Sequence, residues 1–159
     1  MNTTLPELFK PVMALENQTN AGALTGDYVK ASLCHMLYIV VSITQGAANT
    51  CALTIEQATT AGGGSTKAIT NTVPIWSNLD TAASDTLTRR TDAVSYTTDA
   101  GVKNKIVIFQ IDPSSLDTEN EFDWITVKCG ASNAGNIVGA MYFFGGLRYA
   151  DSAPPTQIA

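Results

Sequence analysis

The sequence predicts an all-β protein, an antiparallel β-sandwich or barrel of about seven or eight strands with an N-terminal extended arm. Three observations support this prediction. Apolar and polar residues alternate with period two in several short runs. Charged residues make up only 14% of the chain, against about 25% in an ordinary soluble domain. Threonine occurs 21 times, and threonine favours strands over helices.

The clearest strand is predicted over residues 37–45. Its odd positions from Leu37 to Ile43 are all apolar, while its even positions become polar toward the end. A second alternating run covers residues 51–56, after a short loop with Gly46. The two runs together predict an antiparallel hairpin.

Weaker strand signals occupy the next part of the chain. Residues 60–65 contain three consecutive glycines and predict a flexible loop. Residues 67–76 form a candidate strand with Pro74 in it. Because proline has no N–H to donate to a ladder, we expect this strand at a sheet edge. Residues 87–90 and 94–98 are predicted as two short strands.

Three stronger strands follow. Residues 105–111 and 137–144 are apolar on both faces, and residues 124–129 alternate. After the first of these, Asp112 and Pro113 have the residue types of a helical N-cap and first turn. A single helical turn is therefore predicted there.

The two ends of the chain differ from this pattern. Residues 1–30 are predicted as an N-terminal arm in which only residues 5–15 could form a short helix. Residues 31–149 are predicted as the β-sandwich or barrel domain. Residues 150–159 contain Pro154-Pro155 and are predicted as an extended C-terminal tail.

Composition argues against several classes of protein. The chain has nine basic residues and a net charge of −5, so we expect no nucleic-acid partner. The longest apolar runs, residues 33–43 and 137–147, are shorter than the roughly 18 residues of a membrane helix, so we expect no membrane partner. The first residues lack a cationic and apolar leader pattern, and three scattered cysteines predict neither a disulfide framework nor a zinc site.

The residues that could carry chemistry do not form a catalytic pattern. His35 is the only histidine, and its neighbour Cys34 points to the opposite face if the strand has begun there. Cys51 and Cys129 lie among apolar strand residues, which is typical of core thiols. The acidic segment 112–123 lacks the glycine of a calcium loop, so a solvated loop is favoured over cation binding. No catalytic, cofactor-binding or metal-binding residue is predicted.

The glycine-rich run Gly62–Lys67 is predicted to be a hairpin loop. A phosphate loop needs Gly-Lys followed by Ser or Thr and then a helix, and here Lys67 follows Thr66.

The two strands that are apolar on both faces need cover on both sides, since a lone sandwich leaves one face of each sheet in water. Candidate extra cover includes Met141, Tyr142, Phe143, Phe144 and Tyr149. Two explanations fit equally well: central strands under long loops, or a subunit interface, where aromatic residues and methionine are enriched.

Four stretches of the chain share a pattern and order with a known group of proteins. They are Gln57-Ala58-Thr59 with the Gly/Ala loop and Lys67-Ala68, residues 76–87 (WSNLDTAASDTL), Leu116-Asp117 leading to residues 122–127 (FDWITV), and residues 147–150 (LRYA) with Pro154-Pro155 and Ile158. Over most of residues 26–158 the chain resembles the head decoration (cement) proteins of tailed bacteriophages.

The resemblance implies a non-enzymatic virion protein that binds the outside of a capsid, bridges major capsid subunits and stabilises the shell, often as a homotrimer. The protein would be made in the host cytoplasm. We expect contacts in the arm and near the C-terminus, at Phe9, Val12, Met13, Leu15, Arg148 and Tyr149. The alternatives are a tail-tube or head–tail joining protein and, with less support, a carbohydrate-binding or hydrolytic β-domain.

Overall fold

The computed structural model describes residues 4–147. Strands account for 53% and helices for 9%, and all strand pairs are antiparallel, which confirms the predicted all-β class. The described strands are β1 Phe9–Thr19, β2 Leu24–Thr25, β3 Val29–Lys30, β4 Cys34–Gln45, β5 Ala52–Ala58, β6 Lys67–Ala68, β7 Val73–Asn78, β8 Thr88–Ala93, β9 Ser95–Thr97, β10 Asn104–Ile111, β11 Trp124–Cys129 and β12 Asn136–Leu147.

The strands form two six-stranded sheets of a sandwich. Sheet A has the order β1-β12-β4-β10-β7-β8. Sheet B has the order β2-β11-β5-β6, with β3 also paired to β11 and β9 also paired to β5. Short helices complete the described part of the chain: α1 Leu5–Leu8, and 3₁₀ turns at Ala31–Leu33, Pro113–Ser115 and Thr118–Asn120.

The core lies between the inner faces of the two sheets. In β4 the alternating residues Leu37, Ile39, Val41 and Ile43 are at most 1% exposed, and the residues between them are not buried. Each fully buried side chain of this kind contributes about 1.5–3 kcal/mol of transfer free energy, offset by the entropy of ordering the chain. The period-two pattern therefore identified the core face of this strand.

Several predicted elements are confirmed within one to three residues. They include β4, β5, β10, β11 and β12. The helical turn after β10 is also present, and the Asp112 side chain accepts a hydrogen bond from the Ser114 amide at 2.9 Å. This is the N-cap interaction that the residue types predicted.

The predicted hairpin between residues 37–45 and 51–56 is wrong. β4 lies in sheet A and β5 lies in sheet B, so the connection crosses from one sheet to the other. Both strands bury apolar side chains, such as Ile39 and Ile55, in the same core. Alternation and the short connection made the two strands look like partners in one sheet, whereas they face each other across the sandwich.

The predicted edge position of Pro74 is also wrong, because β7 lies between β10 and β8. Two local features accommodate the proline. The register with β8 shifts between Val73 and Ile75, and the pairing with β10 extends only as far as Ile75. Bulges are one of the few places where a sheet tolerates proline.

The N-terminal arm predicted over residues 1–30 is not confirmed. From Phe9 onward the chain forms β1, which pairs along β12, followed by β2 and β3 of sheet B. Helix formation is confined to α1, where Thr4 and Glu7 form a capping box. Ala14 is 3% exposed, so the core extends into the region predicted as an arm. The C-terminal tail at 150–159 lies outside the described residues.

A buried ammonium group links sheet A to the loop after β9. Lys105 lies on the inner side of β10 with 1% of its surface exposed. Its Nζ donates to Gln45 Oε1 at 2.9 Å, to the Asp99 carbonyl at 2.9 Å and to Asp99 Oδ1 at 2.6 Å. Its three donors are thereby satisfied. The hydrogen bond from Lys105 is the main reason that the pKa of Asp99 lies below its usual value.

A buried tyrosine ties β12 to sheet B. The Tyr142 hydroxyl donates to the Asp27 carbonyl at 2.9 Å and accepts from the Val127 amide at 3.3 Å. Burial raises the pKa of Tyr142 to about 12. Gly26 lies against the same hydroxyl, and an added Cβ there would be 2.9 Å from the Ala14 carbonyl oxygen. The segment between β2 and β3 is therefore held close to the sheet.

Candidate interaction surface

The outer face of sheet A carries a row of apolar side chains across five neighbouring strands. Directly opposed residues of an antiparallel pair point to the same side of the sheet. The register therefore places one residue from each of β1, β12, β4, β10 and β7 side by side. These residues are Met13, Met141, Val40, Ile108 and Trp76.

A second row lies one pleat away on the same face. It consists of Pro11, Phe143, Tyr38 and Gln110. Beyond it, the Phe9 ring meets Tyr38 edge-on, with centroids 5.9 Å apart at 74°. Such aromatic pairs contribute about 0.5–1.5 kcal/mol beyond their burial.

Gly145 makes room for the Phe9 ring. An added Cβ at Gly145 would lie 3.1 Å from Phe9 Cε1. The glycine thus allows the ring of β1 to lie down over β12.

We call these side chains the apolar face. Its members are Phe9, Pro11, Met13, Tyr38, Val40, Trp76, Ile108, Met141 and Phe143. Met13 is 49% exposed and Trp76 is 37% exposed, and the other members are intermediate in exposure except Pro11, which is exposed. Contiguous exposed apolar surface is typical of interaction sites, which makes the apolar face the candidate site.

The apolar face contains two shallow depressions. One has a volume of about 260 Å³ and is lined by Phe9, Tyr38, Val40, Ile108 and Phe143. The other has a volume of about 340 Å³ and is lined by Tyr38, Trp76, Leu87, Ile108 and Gln110. Tyr38 and Ile108 line both depressions and therefore lie between them.

Polar residues flank the apolar face on two sides. Along the strands, the next row contains Ser42 between Gly139 and the half-buried Ile106, and the Asn17 side chain occupies the space beside the glycine. Across the strands, Arg89 of β8 lies opposite Trp76 with its guanidinium 5.5 Å from the ring centroid. Arg89 also forms an ion pair with Asp92 at 2.5 Å. The boundary is therefore polar at β8 and mixed along the strands.

Both edges of sheet A are poor templates for another strand. β1 contains Pro11 and two register shifts, which interrupt a regular ladder. β8 carries Arg89, Arg90 and Asp92. Proline, bulges and charges are the usual protection of an edge strand. Association through the face of the sheet is thus favoured over strand addition at its edges.

The predicted contact residues divide into three groups. Phe9 and Met13 belong to the apolar face. Val12 packs against the core and Leu15 is only 8% exposed, so the structure places these two on the inner side of β1, away from a partner. Arg148 and Tyr149 lie outside the described residues.

Sequence reasoning missed Tyr38, Val40, Trp76 and Ile108 as surface residues. A signal for Ile108 was present, since residues 105–111 were predicted to need cover on both faces. The structure leaves the outer side of this strand lining depressions that open to solvent. Within the described residues, long loops therefore do not cover the outer side of this strand, and the alternative of a subunit interface stays a prediction.

The three cysteines are buried, and none of them forms a disulfide. The hydrogen-bond interaction between Cys51 and Cys129 is the main reason that the pKa of Cys51 is lowered and that of Cys129 is raised. The single S–H of Cys129 has a second acceptor within reach, Asn20 Oδ1 at 3.3 Å. Cys51 and Cys129 are 0% and 2% exposed, so a substrate has no direct access to them.

The other chemical candidates are separated in space. His35 is exposed while Cys34 is buried, so the neighbours point to opposite faces as predicted. Asp117 pairs with Lys67, and this hydrogen bond is the main cause of its lowered pKa. Within residues 4–147, no group of three or more His, Cys, Asp or Glu side chains could hold a metal ion.

The run Gly62–Lys67 forms a loop that leads into strand β6 and not into a helix, as predicted. Without a helix N-terminus it does not have the architecture of a phosphate loop.

Comparison with known proteins yields no match to a family model, to a curated protein or to a solved structure. Among the described residues, no helix has the length and hydropathy needed to cross a membrane.

Proposed function

We propose that the protein is a structural component of a tailed-phage virion that decorates the outside of the capsid. In this role it bridges major capsid subunits and stabilises the shell without catalysing a reaction. The sequence resemblance to decoration proteins supports the proposal and implies a homotrimer. The chain would act in the virion after synthesis in the host cytoplasm.

The apolar face is the observation that carries the proposal. A rigid sandwich that exposes methionine and aromatic side chains across five strands has the composition of an interface core. Only 14% of the chain is charged, so long-range repulsion between many closely packed copies is small. Avidity in a symmetric shell allows each contact to be weak by itself.

The capsid contact is proposed at the end of the molecule where α1 meets β12. Leu5 is 58% exposed and Leu8 is 51% exposed on this helix. The segment with Arg148 and Tyr149 follows directly after Leu147, the last residue of β12. This end thus carries exposed apolar side chains next to β12.

The test is co-sedimentation with capsids assembled from the major capsid protein encoded alongside this chain. The double variant Leu5→Ser/Leu8→Ser should lose most of the binding. Val102→Ser is the matched control, because Val102 is 57% exposed and lies in the loop before β10. It should bind like the wild type.

Two outcomes would contradict the proposal. Absence of wild-type binding to any such capsid would refute decoration. Quantitative mass spectrometry that finds few copies per virion, where decoration requires hundreds that track the major capsid protein, would favour a tail-tube or head–tail joining protein.

A further inference from the structure

We propose that the apolar face is a contact between two copies of this chain, which pack sheet A against sheet A around a two-fold axis. The inference deepens the proposed function by naming a partner for one surface. It is separate from the three-fold contact that the resemblance implies. The same face supplies both halves of the contact, so the assembly closes as a pair.

The shape of the face fits a second sheet. Its residues stand in rows on a pleated surface, and two such surfaces pack about 10 Å apart with their side chains interdigitated. The two depressions and the exposed side chains of Met13 and Trp76 provide holes and knobs on one surface. A self-complementary contact therefore needs no further element.

The area of the face sets the affinity to expect. Five strands at about 4.8 Å and three rows of alternate residues about 6.8 Å apart cover about 24 Å by 20 Å. Two copies would thus bury about 960 Å² in total, which lies below the roughly 1,200 Å² of a standard stable interface and in the range of weak contacts. A pair of low affinity, seen at the upper protein concentrations, is the expected result.

The charges of the chain favour this face over other surfaces. Despite the net charge of −5, the rows of the apolar face contain no carboxylate. Arg89 at the end of the first row is already paired with Asp92. Two copies can therefore meet without taking an unpaired charge out of water, which would be costly.

The experiment measures the particle mass of the full-length chain by sedimentation velocity between about 1 and 100 μM. Ile108→Glu places a carboxylate at the centre of the face and should weaken pairing at least about 100-fold. The wild type should then have twice the mass of the variant, whatever smaller unit the variant forms. Ser42→Glu is the control, because Ser42 is exposed on the same side of β4 beyond the apolar rows, and it should pair like the wild type.

Met13→Glu gives a second test on an edge strand. Met13 is 49% exposed, so this change should leave the fold intact while it disrupts pairing. Far-UV circular dichroism and the melting temperature establish that each variant is folded.

Equal particle masses for the wild type, Ile108→Glu and Met13→Glu would overturn the proposal. Loss of capsid binding in these variants without a change of mass would assign the face to the capsid, which also overturns pairing but supports decoration. Pairing without capsid binding would retain the present inference and refute the proposed function.

Discussion

Loss of Asp99 should destabilise the protein more than loss of Lys105, although Lys105 is the buried partner. The Asp99 side chain is 56% exposed, whereas that of Lys105 is 0% exposed. In Asp99→Ala the ammonium group stays buried with two neutral acceptors and no counter-charge. In Lys105→Met the carboxylate left behind can be hydrated.

The expected costs follow from the groups that remain unpaired. After Lys105→Met, Gln45 Oε1 still accepts from Thr98 and the Asp99 carbonyl still accepts from Gln45 Nε2. Lys105→Met should therefore lower the free energy of unfolding by about 1–2 kcal/mol, because it removes charged hydrogen bonds but leaves no buried acceptor unpaired. After Asp99→Ala the uncompensated buried charge should cost about 3–5 kcal/mol.

The double variant Asp99→Ala/Lys105→Met distinguishes an unpaired buried charge from a loss of packing as the cause of the destabilisation. Once the ammonium group is gone, removing Asp99 deletes only its bond from the Gly101 amide. The double variant should therefore resemble Lys105→Met, so the coupling free energy should equal the cost of Asp99→Ala alone, about 3–5 kcal/mol.

Urea unfolding followed by tryptophan fluorescence at pH 7 gives the four free energies of unfolding. The control is the surface pair Lys103–Asp80, where removal of the exposed Lys103 should have little effect. The reasoning is refuted if Lys105→Met costs as much as Asp99→Ala, or if the two costs add in the double variant.

Three further predictions concern the same fold. Gly139→Ala should destabilise by less than about 1 kcal/mol, because Asn17 Oδ1, which its Cβ would meet at 1.8 Å, is the end of an exposed side chain that can rotate away. A fall of the urea midpoint that corresponds to more than about 2 kcal/mol would contradict this. Tyr142→Phe should cost about 1–3 kcal/mol because it leaves the buried Val127 amide without its acceptor; an unchanged melting temperature would contradict this. The pKa of Asp99 is lowered in the fold. Its contribution to the free energy of unfolding is therefore fully present above the unfolded pKa of about 3.9 and is lost as the pH falls through the lower folded pKa. The urea midpoint of Asp99→Asn should accordingly change less with pH over this range than that of the wild type.

Local pattern predicted the strands better than it predicted their neighbours. Residues 124–129 were found in full because period two needs only the chain itself. The partner of β4 was assigned wrongly because strand order depends on contacts between distant segments. β4 pairs with β10 and β12, which lie much later in the chain, and no local signal specifies that choice.

The candidate surface was predicted in part for a similar reason. Phe9 and Met13 were selected as exposed apolar residues, and they do lie on the apolar face. Val12 was included because β1 was not predicted as a strand, so its alternation was not used. A bulge between Met13 and Leu15 then breaks the alternation, and both Ala14 and Leu15 turn inward. The bulge depends on the register with β12 and leaves no mark in the sequence.

The pairing of β1 with β12 also has a consequence for the order of events during synthesis. β1 leaves the ribosome first among the described strands and β12 last, yet they are neighbours in sheet A. β12 also separates β1 from β4, so β1 has no partner in the sheet, and β4 lacks one of its two, until translation has passed residue 147. Such long-range closure is slow in β-proteins. A nascent chain therefore forms at most the β4, β10 and β7 part of the apolar face, and the full face appears only once β12 has been made.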